Sequence, residues 1–110
     1  MSELVDACEK YITSITDIDP ENIVTGAVKG DHCSFELYAL PYFGSRKNLG
    51  TKVSERISKR VNAALFLVDF MAYGAMRWTW KLGGGRSIVL TDVGFDGTVQ
   101  LELINKENGK

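Results

Sequence analysis

Little in this sequence suits metal or covalent chemistry. Its 110 residues hold one histidine, His32, and two cysteines, Cys8 and Cys33, with no C-x-x-C pair. A zinc site would need carboxylates to complete it, and two isolated thiols make no disulfide framework. No metal or cofactor is therefore expected. Long apolar runs are missing as well. The longest, from Ala63 to Tyr73, is interrupted by Asp69 and is half of the ~20 residues a membrane-crossing helix needs. The opening residues, Met1 to Asp6, are acidic, unlike the basic start of a secretory signal. The expectation is a cytoplasmic chain with reduced thiols and no membrane span. Prolines number two and hydrophobic residues make up 45%, which excludes a disordered chain. A chain of this length buries about 65% of its unfolded surface, enough for one core and no second domain. Residues 1–110 thus read as a single domain, ordered over about 3–104, with a polar tail at 105–110.

Net charge is also scarce, at −1, but it is unevenly spread. Residues 1–36 carry eight acids against two bases, and residues 37–86 carry nine bases against two acids. Arg46, Lys47, Lys52, Arg56, Lys59 and Arg60 open the basic stretch, and the last four fall at helical spacing. Such a face suits an anion, nucleic acid or an acidic protein surface, or is simply a solvated helix face. Tyr42 and Phe43 beside Arg46 and Lys47 make a plausible contact loop, because interfaces favour aromatic side chains and arginine.

What the sequence does contain is periodicity. Leu4, Cys8, Tyr11, Ile12 and Ile15 recur at helical intervals, predicting an amphipathic helix over 3–16 with Ser2 as N-cap and Glu3 and Asp6 at its positive end. Asp19-Pro20 ends it. Two alternating runs around Gly30-Asp31 predict strands over 23–29 and 32–40, with Val28 facing Cys33, Gly26 facing Phe35 and Val24 facing Leu37. Residues 40–50 read as a loop. Thr51 would cap a long helix running to about Met71, amphipathic at first and apolar on every side beyond Ala63, which calls for cover on more than one side, most simply by a second subunit. After Gly74 the period changes to two. Trp78 and Trp80 should lie beside Leu90 and Ile88, and the Asp96-Gly97 turn should place Leu90 by Leu103. The order is α-β-β-α-β-β-β, an α+β domain with the first helix covering the half-polar side of the sheet.

Catalytic constellations fail on geometry. His32 and Cys33 are adjacent in a strand and point to opposite faces. Gly83-Gly84-Gly85 leads into a strand, whereas a phosphate cradle needs a following helix. Asp69 and Asp92 read as salt-bridge partners of an arginine such as Arg77. A pocket lined by Trp78, Trp80 and Asp92 is a third, weaker reading. No catalytic residues are expected, and the chain reads as a non-enzyme.

The element order resembles the roadblock/dynein light chain family. The closest local match is Ser87-Ile88-Val89-Leu90-Thr91-Asp92-Val93-Gly94 with Asp96-Gly97-Thr98-Val99-Gln100-Leu101, similar to that family's fourth strand, its valine-glycine corner and its last strand. Val24-Thr25-Gly26-Ala27-Val28 before Gly30-Asp31 is similar to its first hairpin. The Trp-x-Trp third strand and the long loop 41–50 depart from the family. The resemblance implies a roadblock/profilin-like fold, a five-stranded antiparallel sheet with one helix on each face. It also implies a non-enzymatic homodimer whose third strands (75–82) pair edge to edge beside the long helices (51–72). The implied dimer interface is Leu65, Phe66, Val68, Phe70, Met71, Arg77, Trp78, Thr79 and Trp80. The implied work is that of an adaptor or scaffold binding another protein, such as a small GTPase. The alternatives are binding of nucleic acid or phosphate through Tyr42, Phe43, Arg46, Lys47, Lys52, Arg56, Lys59 and Arg60, or a small inhibitor or immunity-type protein that blocks one partner.

Overall fold

The computed structural model of the chain describes residues 2–94 and 96–105. The side chains of Ser2, Glu3 and Leu4, expected to cap and face the first helix, lie outside the described residues, as does the tail beyond Asn105. Helix α1 (Ser2–Thr16) is followed by the hairpin β1 (Ile23–Lys29) and β2 (His32–Tyr38), a single helical turn α2 (Leu40–Phe43) and helix α3 (Leu49–Arg60). Four strands complete the chain: β3 (Leu65–Phe70), β4 (Met76–Lys81), β5 (Arg86–Asp92) and β6 (Thr98–Asn105). They form one antiparallel six-stranded sheet in the order β1-β2-β6-β5-β4-β3.

The expected long helix is the main correction. α3 stops at Arg60, Val61 turns to extended backbone, and Leu65 to Phe70 form a sixth strand instead of three further helical turns. Leu65-Phe66-Leu67-Val68-Asp69-Phe70 is rich in residues that favour a pleated surface. A short apolar run of this kind has no period that separates a strand from a buried helix. The loop expected at 40–50 contains α2, whose Tyr42 hydroxyl accepts the Asp19 N–H at 3.1 Å and donates to Asn22 Oδ1 at 2.6 Å. Those bonds tie α2 to the segment that leaves α1.

A second correction concerns layers. Ile12 and Ile15 of α1 and Val53 and Ile57 of α3 join one core with Cys33, Phe35, Leu37, Trp78, Trp80, Ile88, Leu90, Val99 and Leu101. Those strand residues are register partners on one side of the sheet, so both helices cover the same face. The reverse face carries His32, Ser34, Glu36, Val89, Thr91, Glu102 and Ile104, none of them buried. Its mixed composition reflects an open side, not a second helical cover.

The registers largely follow the alternation. Val28 pairs with Cys33, Gly26 with Phe35, Trp80 with Ile88 and Trp78 with Leu90. Two details differ. An irregularity between Ile23 and Thr25 brings Ile23, not Val24, opposite Leu37. Leu90 pairs with Leu101 rather than Leu103, because the β5–β6 connection is centred one residue before the Asp96-Gly97 turn. Asp96 shapes that connection, its carboxylate accepting the Thr98 N–H and hydroxyl at 3.2 and 2.6 Å.

Candidate functional site

Strand β3 ends the sheet on one side, paired with β4 and, among the described residues, with no strand beyond it. Val68 and Phe70 are the register partners of Trp78 and Met76, so they share the helix-facing side. Leu67 is opposite Thr79 on the reverse side, and Phe66 lies under the Lys81 ammonium, which is 4.3 Å from its ring centre. The helices stop short of this edge: α3 reaches across to the tryptophans, where Trp80 Nε1 donates to Ser58 Oγ at 2.9 Å. β3 therefore exposes apolar side chains on both faces. Phe70 is 81% exposed and Phe66 58%, and Leu65, Leu67, Val68 and Met71 are exposed as well. Asp69 is the one ionisable residue of the strand, and it accepts from Arg77 at 3.2 Å.

Edge strands ordinarily carry charge, proline or a bulge that discourages pairing, and a long apolar edge is a template for another strand. β3 has an irregular register between Leu65 and Leu67, but beyond it Leu67 to Phe70 runs regularly. The opposite edge is better defended. β1 has its own irregularity, ends on Lys29 and contains Gly26, whose missing side chain leaves room for Phe35.

The residues assigned to the dimer interface from sequence thus divide. Leu65, Phe66, Val68, Phe70 and Met71 lie exposed on or just after the edge strand, while Arg77 and Thr79 lie one strand inward and are half-buried. Trp78 and Trp80 are 4% and 0% exposed in the core and reach no surface. Leu67 was missed because a helical reading placed it between interface positions. The Met76–Lys81 strand, expected at the edge, has neighbours on both sides, and the edge position is taken by β3. The tryptophans also form no pocket with Asp92, whose carboxylate instead accepts the Gly50 and Gly94 N–H groups at 2.7 and 2.8 Å.

The basic face turns toward its own chain. Arg56 and Arg60 both donate to the Asp17 carboxylate, at 2.7 and 2.9 Å, and Arg60 also donates to the Ser14 carbonyl at 3.1 Å. These guanidinium groups sit at the C-terminal end of α1, where cations are favoured, and they hold the Asp17 carboxyl below the usual carboxylate range. Arg56 also stacks on Phe43, 5.2 Å from the ring centre, and Lys52 Nζ donates to the Phe43 carbonyl at 3.4 Å. Lys47 and Lys59 are exposed, and Arg46 lies near Asp96.

His32 and Cys33 separate as expected. His32 lies on the open face, 3.5 Å from Glu102 and 3.9 Å from Asp31, and Cys33 is buried on the other. Burial, reinforced by the neighbouring Cys8 thiol, pushes the Cys33 thiol up to about 12, far from the range of a nucleophilic thiolate. The chain matches no protein-family model, no curated protein and no solved structure.

Proposed function

We propose that this chain is a non-enzymatic homodimeric interaction module, assembled by antiparallel pairing of β3 with β3 of a second copy. The observation that carries this reading is the apolar edge strand, exposed on both faces. Its five apolar side chains, with Met71 just after it, leave on the order of 500–600 Å² uncovered, at the upper end of what monomers expose. Doubled by symmetry, that is about 1,100 Å², just above the ~1,000 Å² that a biological interface should clear. Charge favours a second copy as the occupant: Asp69 is already matched by Arg77, so two such edges meet without an unpaired like charge. A two-fold axis perpendicular to the sheet would keep all helices on one side and consume the edge, closing the assembly as a dimer. The better-defended β1 edge disfavours head-to-tail growth.

The dimer would present two open sheet faces side by side, suited to an adaptor that binds a further protein. The basic face is a weaker basis for nucleic-acid binding, because Arg56 and Arg60 are committed to Asp17. Hydrogen–deuterium exchange tests the pairing. The β3 amides that point away from β4 should be protected in concentrated protein and lose that protection on dilution, while those bonded to β4 stay protected. Exchange in β3 that is fast and independent of concentration would refute it.

A further inference from the structure

Around Cys8 and Tyr11, among the described side chains of α1, the contact of helix with sheet is confined to Cys8 against Cys33. Beside that contact opens a cleft of about 550 Å³, lined by Cys8 and Tyr11 of the helix and by Val28, Leu82 and Leu103 of the sheet side. Its cause is local. Ile12 and Ile15 fill the layer further along α1, whereas position 8, on the same helix face, holds a small thiol. Protein interiors leave few voids larger than a water molecule, and this one has the size of a small-molecule pocket.

The walls are apolar and the mouth is not. Arg86 stands at the mouth on the helix-facing side of β5, next in the row after Leu90 and Ile88, and close enough to Tyr11 for their charges to interact. Arg56, Arg60 and Arg77 each hold a carboxylate. Among the described residues Arg86 makes no ion pair, and its Nε donates to the Gly83 carbonyl at 3.1 Å. Across the mouth Asp31 and His32 line the rim, 3.9 Å apart, while Glu102 lies outside the lining on the reverse face. An apolar cleft with one convergent cation is the arrangement that binds an amphiphile head first, and the planar guanidinium fork matches a carboxylate.

We propose that this cavity binds a medium-chain carboxylate, its head paired with Arg86 and its alkyl body against Val28, Leu82 and Leu103 beneath Cys8. The site shares no residue with β3, so it stands or falls apart from the dimer.

Titration calorimetry of the full chain with decanoate, kept below its micellar concentration, and with decanol tests the proposal. Decanoate should bind one per chain. Arg86→Gln should weaken decanoate at least tenfold and change decanol by less than twofold. Cys8→Phe, filling the cavity from the helix, should abolish both while the far-UV circular dichroism is unchanged. Should that variant fail to fold, Val28→Phe fills the same space from the sheet. Absence of decanoate binding, equal binding by Arg86→Gln, or binding that survives in a folded cavity-filled variant would overturn it.

Discussion

Asp92 at the end of β5 caps a helix far earlier in the chain: its Oδ2 accepts the N–H of Gly50, 42 residues before it, at 2.7 Å in the first turn of α3. Asn48, at the head of that helix, makes no side-chain cap of its own. The carboxylate therefore satisfies an orphan amide and meets the positive end of the helix. Asp92→Ala should destabilise the fold by about 1–2 kcal/mol, and Asp92→Asn by less, as read by urea denaturation. Gly50→Ala tests the same contact from the other side. A Cβ there would come within 2.6 Å of both Asp92 Cβ and Trp78 Cη2, an overlap that should cost about 1–3 kcal/mol.

Asp17 ties the two helices through Arg56 and Arg60, and its pH dependence follows from the sign of its shift. The folded-state pKa is lowered from 3.8, chiefly by the Arg60 hydrogen bond. The contribution is thus present above the unfolded value and is lost as pH falls through the folded one. Stability measured by denaturant should decline below about pH 4 in the native chain, and less steeply in Asp17→Asn. Equal slopes in the two proteins would show that the arginines contribute nothing through this carboxylate.

Cys33 titrates in the opposite sense. Its thiol ionises near 9.0 when unfolded and near about 12 when folded. Stability should be fully present below pH 9 and fall as pH rises toward 12, because the unfolded state then releases the proton more readily. Cys33→Ser should flatten that alkaline decline. At pH 8 iodoacetamide should label Cys8, which is half-buried, before Cys33. Mass spectrometry of the singly labelled chain decides the order, and faster labelling of Cys33 would contradict its assignment to the core.

The short-range pattern was legible, and the long-range arrangement was not. Alternation around Gly30-Asp31 identified the pairs Val28–Cys33 and Gly26–Phe35, since a one-residue slip would exchange the faces. The same reasoning missed the two-residue displacement of Leu90 from Leu103 to Leu101, because a shift of two leaves every side chain on its own face. Pairing of Asp69 with Arg77 followed once both were on neighbouring strands. Asp92 was misassigned to an arginine because its partner is a backbone amide far away in sequence, and amides leave no mark in composition. The apolar run from Ala63 to Tyr73 suggested cover on more than one side, and its residues Leu65 to Val68, Phe70 and Met71 lie exposed. It could not tell a helix from an edge strand, because both present apolar residues without a helical or alternating period. The cavity at Cys8 and Arg86 left no signal beyond one small residue on an apolar helix face.

Solution mass, measured by light scattering at two salt concentrations, tests the β3 pairing most directly. The account predicts a mass near twice 12.2 kDa at micromolar concentration, insensitive to salt because the edge is apolar and Asp69 is already neutralised. Val68→Lys, which places a charge in the middle of the pairing strand, should yield the single-chain mass with unchanged circular dichroism. A native chain of 12.2 kDa under those conditions would contradict the central claim and leave β3 an uncovered edge.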